Sequence, residues 1–296
     1  MSPRSGETYR AKDDVLGLPS SSSEKSSRPV TRANSSRVIK NRALIIVMSD
    51  FHPRSNLPSR KGATKDANRL FKILSRLDYD AKLFTDKTAE EIKQIYEQES
   101  QEEQGDCFLS ILSSHGEEGA IYDFHGHPIK LMQIFHMLSP DKCRALAGKP
   151  KLFFIQACRG QMLDEGIQIE ADSGVSQDDN FAHYLTIPDD TTVMFASSPG
   201  YAAFLNLAGS VFLQTLCNLL EAEERHLELT SLLTRISYRV AYKFQARGQY
   251  KGMKEMPCFI TNMTQDFYPF SKCKTERNSQ AAGSLASKSP PDLSCD

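Results

Sequence analysis

Two short apolar runs, each ending in a polar turn that contains glycine, constrain this chain more than any other feature. The first is Cys107-Phe108-Leu109-Ser110-Ile111-Leu112, followed by Ser113-Ser114-His115-Gly116-Glu117-Glu118-Gly119. The second is Lys151-Leu152-Phe153-Phe154-Ile155, followed by Gln156-Ala157-Cys158-Arg159-Gly160. Runs of this length read as buried strands. Each would deliver one reactive side chain, His115 or Cys158, to a sheet edge where it can meet a substrate.

Other segments extend the pattern. Residues 43–48 and 81–84 read as strands, with helical periodicity between them at Ala67, Leu70, Phe71, Leu74 and Leu77. Residues 89–98 are charged and amphipathic and read as an exposed helix, and 129–135 read as another helix. Residues 161–185 are polar and acidic, a loop. A strand at 192–196, helices at 211–220 and 229–244, and a last strand at Pro257-Cys258-Phe259-Ile260-Thr261 follow. Strands alternating with helices predict an α/β fold with a largely parallel sheet, whose site lies at the carboxyl ends of the strands. Residues 1–37, rich in Ser, Arg and Lys, read as a disordered leader, and 271–296 as a disordered tail. One ordered domain lies between them.

Composition excludes several classes. A formal net charge of −1 argues against nucleic acid or an anionic membrane as the main partner. No charge-free apolar run is long enough to span a bilayer, and the amino end lacks a secretory apolar core. A cytoplasmic chain is expected, which makes the Asn-x-Ser/Thr matches at Asn34 and Asn262 chance ones. The seven cysteines include no C-x-x-C pair, so reduced thiols fit better than a disulfide scaffold. His125 and His127, near Asp123, lack further ligands at regular spacing and read as a solvated loop rather than a metal site.

A thiolate is the nucleophile that cysteine chemistry needs, and a neighbouring imidazole supplies it by sharing the proton. Cys158 as nucleophile and His115 as its base meet that requirement. The oxyanion of a tetrahedral intermediate calls for backbone N–H donors, and those of Gly116 and Cys158 are the natural pair. Such chemistry needs no cofactor.

These residues carry a family resemblance. His115 lies 43 residues before Cys158, and the cysteine pentapeptide with a histidine about 50 residues upstream is the caspase signature. Ser59-Arg60-Lys61-Gly62, Gly148-Lys149-Pro150-Lys151-Leu152, Ser198-Pro199-Gly200-Tyr201 and Pro257-Cys258 also match the family, in its order. Over about residues 38–270 the chain resembles caspases, in particular the executioner-like members with a short leader. The resemblance implies a six-stranded sheet flanked by helices, with His115 and Cys158 as catalytic dyad and Gly116 at the oxyanion. It implies Arg60 and Gln156 in the pocket for a substrate aspartate. It further implies a homodimer, or a heterodimer with another caspase, through Pro257-Cys258-Phe259-Ile260-Thr261. Protein substrates, an activating protease and an inhibitor protein are the other partners it suggests. Ile169-Glu170-Ala171-Asp172 before Ser173-Gly174 resembles the family's own cleavage preference. Cutting after Asp172 would divide a large part, 38–172, from a small part, 173–270, of which 173–190 is linker. Asp13 and Asp14 are weaker candidates for leader removal.

The chain also departs from the family. The aspartate pocket of caspases receives a second arginine from the segment that here reads Gly200-Tyr201-Ala202-Ala203-Phe204-Leu205-Asn206. No Lys or Arg occurs between Arg159 and Arg225, and Leu205 occupies the arginine's place. Phe204 stands where the family has Trp, and Ala202 stands where a larger side chain shapes the adjoining pocket. Two readings of different class follow, a zymogen endopeptidase of an apoptotic or related cascade, and a weakly active or inactive homologue that regulates an active caspase by dimerisation. A third is a protease whose preference Leu205 shifts toward an uncharged residue.

Overall fold

The computed structural model describes residues 38–165 and 187–271. Residues 1–37, 166–186 and 272–296, and with them the readings of a leader, of cleavage at Asp172 and of a tail, lie outside the described residues. In chain order the elements are β1 (Arg42–Val47), α1 (Ala63–Arg76), β2 (Asp80–Thr85), α2 (Ala89–Glu99), β3 (Phe108–Ser113), β4 (Gly116–Glu117), β5 (Ala120–Tyr122) and β6 (Pro128–Lys130). Then come α3 (Leu131–Met137), β7 (Lys151–Gln156), β8 (Thr191–Phe195), β9 (Leu205–Asn206), β10 (Gly209–Ser210), α4 (Val211–Glu221), α5 (Leu229–Lys243) and β11 (Cys258–Thr261).

Six strands form one sheet in the order β11-β8-β7-β3-β1-β2. Every pairing is parallel except that of β11 with β8. This is the α/β architecture expected from the alternating segments. Side chains alternate across a strand, so a strand covered on both sides is apolar at every position. In β1, Ala43, Ile45 and Val47 pack toward α1, α4 and α5, whereas Leu44 and Ile46 pack toward α2 and α3. In β7, Leu152 and Phe154 face the first layer, Phe153 and Ile155 the second. Full burial of each Val, Leu, Ile or Phe side chain among them stabilises the fold by about 1.5–3 kcal/mol.

The structure corrects the sequence reading in three places. Residues 129–135 are not one helix. Pro128–Lys130 pair with β5 in a three-stranded side sheet, and α3 begins only at Leu131. That side sheet, β4-β5-β6, is an element the apolar pattern does not signal. The helix at 89–98 is not simply exposed: Ile92, Tyr96 and Glu99 are buried, and a capping box between Thr88 and Glu91 fixes its start. Asp123, near-fully buried, accepts the N–H groups of Ala89, His125 and His127 at 2.7–2.9 Å. It thereby ties the 123–127 turn to the start of α2.

A buried ion pair secures the far side of the sheet. The Arg42 guanidinium binds both carboxylate oxygens of Glu99, and Asp80 at 2.8 Å. No described helix is long and apolar enough to cross a membrane.

Candidate active site

The parallel β3–β7 ladder sets the site. It pairs Ser113 with Gln156, and the Ser114 N–H donates to the Gln156 carbonyl at 3.1 Å. Two residues further on, His115 and Cys158 leave neighbouring strands at the same level. The side sheet then turns the chain back, with the Tyr122 N–H bonded to the His115 carbonyl at 2.9 Å.

His115 Nε2 lies 2.9 Å from the Pro58 carbonyl oxygen. A carbonyl can only accept, so Nε2 carries the proton of the neutral ring and Nδ1 keeps its lone pair. Burial holds the imidazole below its ordinary pKa; the Pro58 carbonyl opposes this, and the Arg60 guanidinium adds to it. The lowered pKa favours the neutral ring, in the tautomer that Pro58 fixes. Phe51 packs against it with centroids 5.1 Å apart.

The half-buried Cys158 sulfur lies against Ala203, accepting its N–H at 3.4 Å and standing 3.8 Å from its carbonyl. The Cys158 N–H donates to no acceptor among the described residues. Gly116 sits close by: a Cβ there would come within 2.6 Å of the Ala120 carbonyl oxygen and 3.2 Å of that of Cys158. Only glycine allows this approach.

Arg60 is buried beneath these loops. It donates to the Met48 carbonyl at 2.6 Å and to Ser113 Oγ at 3.0 Å. Burial lowers its pKa to about 10, against the pull of a Cys158 thiolate and of Asp66, so it stays cationic at neutral pH. Gln156 is buried too, and its Oε1 has no partner among the described residues.

The opposite wall is the 200–206 segment. Backbone bonds hold it to the cysteine loop: Arg159 N–H to the Tyr201 carbonyl at 3.0 Å, Gly200 N–H to that of Arg159 at 3.1 Å, and Ala202 N–H to that of Met162 at 2.9 Å. Phe204 packs with Phe244 and Tyr250 at centroid distances of 5.3 and 6.1 Å. With Leu205, Lys243 and Arg247 these residues line a cavity of about 470 Å³. Leu205 pairs with Ser210 across the β9–β10 hairpin and packs on the core toward α1. A Cβ on Gly62 would overlap the Asn206 carbonyl, so the hairpin abuts the chain two residues after Arg60.

The structure therefore gathers His115, Gly116, Gln156 and Cys158 at two strand ends, with Arg60 below and Ala202, Phe204 and Leu205 on the facing segment. Asp172 is outside the described residues. Sequence reasoning missed Pro58, which acts only through its carbonyl and leaves no side-chain signal. It also missed the Arg159–Glu118 ion pair at 2.6 Å, although both residues stand in the two reactive turns. Glu118 also accepts the Gly200 N–H, at 3.2 Å, and so joins all three loops.

Comparison with known proteins agrees with this geometry. Residues 40–268 match the model of the caspase domain. The chain is 35% identical over 236 residues to caspase-7 of Gallus gallus, covering 77% of this chain and 76% of that one. It is 36% identical over 231 residues to caspase-3 of Felis catus, covering 76% and 82%. The crystal structure of caspase-1 from Spodoptera frugiperda superposes with a TM-score of 0.68 at 30% identity, over 79% of this chain and 93% of that one. With the domain match spanning most of the sequence and the same fold beneath it, this chain belongs to the caspase family.

Proposed function

We propose that this caspase-like protease is a cysteine endopeptidase that cuts proteins after aspartate and is made as a zymogen matured at Asp172. The observation that carries the reading is the level exit of His115 and Cys158 from adjacent parallel strands, with Pro58 fixing the imidazole tautomer. Cys158 attacks the scissile carbonyl, and His115 takes its proton and returns it to the leaving amine. The N–H groups of Gly116 and Cys158 hold the oxyanion. Arg60 and Gln156 receive the substrate carboxylate, while Ala202, Phe204 and Leu205 shape the cleft beside it.

The edge strand β11 is half-buried along its whole length and pairs with β8 on one side. Its other edge suits pairing with a second caspase chain. A cytoplasmic setting and a role in an apoptotic or related cascade complete the proposal.

A second reading rests on Leu205. A carboxylate in a partly dry pocket is best held by bidentate arginine, and here Arg60 is the single pocket cation on the sequence match. In this reading the chain turns over weakly and regulates an active caspase through β11. The test is self-cleavage at Asp172 in the full chain, followed by mass spectrometry, for wild type, Cys158→Ala and Leu205→Arg. Maturation of wild type but not of Cys158→Ala supports the endopeptidase. Maturation of Leu205→Arg alone supports the regulator.

A further inference from the structure

Glu255 is 1% exposed and lies two residues before Pro257, outside every motif discussed above. Its Oε2 accepts the Phe204 N–H at 2.5 Å. Its Oε1 is buried with no hydrogen-bond partner among the described residues. Phe204 is the middle residue of a short stretch with two neighbours of consequence. Ala203 touches the Cys158 sulfur on one side, and Leu205 enters the β9–β10 hairpin on the other.

We propose that Glu255 is the positioning residue of this stretch: its buried carboxylic acid grips the Phe204 amide, fixing Ala203 at the nucleophile and Leu205 in the cleft wall, and loss of its proton releases the stretch. The inference rests on the endopeptidase reading for its effect on substrate, but not for the grip itself.

A carboxylate needs charged or hydrogen-bonding partners to be stable in a dry site. This site offers one backbone N–H. Lys254, next along the chain, sends its ammonium to the Phe244 carbonyl at 2.9 Å. Lys243, Arg247 and Tyr250 line the cavity beside Phe204, Cys158 lies beyond Ala203, and Asp164 meets Lys254 through the backbone. None of these side chains is among the groups acting on the carboxyl, whose pKa burial raises to about 8, partly offset by the Phe204 N–H. The raised pKa favours the protonated acid at neutral pH, with Oε2 as the acceptor of the Phe204 N–H. Ionisation leaves a carboxylate that one N–H cannot satisfy in a dry site, and in this proposal the 203–205 stretch moves off Glu255 to admit water.

The chain contains no tryptophan, so Phe204→Trp places a single indole on this stretch. Its fluorescence is followed across about pH 6–9 in the full-length protein, alone and combined with Glu255→Gln. The expected result is a transition centred near pH 8 that the second substitution removes, since glutamine keeps the acceptor and has no proton to lose. A transition that survives Glu255→Gln, or none at all, overturns the proposal. In peptide hydrolysis by the protein without the indole, KM should rise about tenfold across the same range with kcat held, the rise vanishing in Glu255→Gln, and Glu255→Ala should show the raised KM already at neutral pH. A change confined to kcat would also overturn it. If no peptide is cleaved yet the indole transition appears and depends on Glu255, the endopeptidase reading falls and the grip stands.

Discussion

Leu205→Arg tests how much this cleft lacks for binding an acidic side chain. Arg60 offers five N–H donors in principle, and two of its nitrogens already donate to the Met48 carbonyl and Ser113 Oγ. In the proposed pocket a substrate aspartate would meet a partly committed cation, the Gln156 amide and an apolar leucine. Truncating one partner of a buried, hydrogen-bonded charge costs about 2–5 kcal/mol, and adding the missing partner should return a comparable amount. At about 1.36 kcal/mol per decade this is a gain of about 30- to 5000-fold in kcat/KM. Repulsion from Arg60 and the lost packing of half-buried Leu205 favour the lower end, with about 1 kcal/mol of stability given up. The assay is steady-state hydrolysis of a fluorogenic tetrapeptide ending in aspartate, with an asparagine-ended control and an unfolding temperature for each protein. The gain should be confined to the aspartate peptide. A kcat/KM within about threefold of wild type, in a variant that unfolds at nearly the same temperature, would refute the claim that Leu205 limits carboxylate binding.

Gly116→Ala should lower kcat by about 10²–10³-fold with little change in KM, because the added methyl would lie against the Ala120 and Cys158 carbonyls; an unchanged kcat removes Gly116 from the oxyanion site. Arg42→Ala should cost about 3–5 kcal/mol in denaturant unfolding by stranding the Glu99 carboxylate, and a loss under about 1 kcal/mol would show that water reaches it. Burial opposes ionisation of Glu99, but its bonds to Arg42 prevail and hold its pKa below 4.5, so this stabilisation is complete above that pH and fades as pH falls through the lowered value. Glu255 acts with the opposite sign. The folded chain keeps a proton that the unfolded chain sheds, so stability declines as pH rises from about 4.5 to about 8 and levels off beyond. Thermal unfolding across that range should show the decline in wild type and a flatter profile in Glu255→Gln.

The positions of the His115 and Cys158 turns were legible because strand ends in an α/β sheet have few alternatives. Residues 151–156 are apolar or covered at every position, which only a strand packed on both faces tolerates, and the residue after such a strand must emerge at its edge. That argument places His115 and Cys158 without knowledge of a single contact. It fails at 128–135, where Ile129, Leu131, Ile134 and Phe135 fit a helical stripe almost as well as a strand running into a helix. Pairing of Ile129 with Ile121 decides the matter, and that contact depends on the side sheet rather than on the periodicity of 128–135.

The order of chain segments, the exit of His115 and Cys158 from adjacent strand ends, and the absence of Lys and Arg between Arg159 and Arg225 were determined by the sequence, since each depends on residue type and local pattern. The tertiary structure alone decided that a proline carbonyl orients the imidazole, that Ala203 lies on the sulfur, and that Glu255 is sealed beneath Phe204. These features arise from long-range approach of backbone groups, and from loss of water around a side chain that looks like any surface glutamate when read in line. Burial and partnership are properties of the packed chain, and no periodicity encodes them.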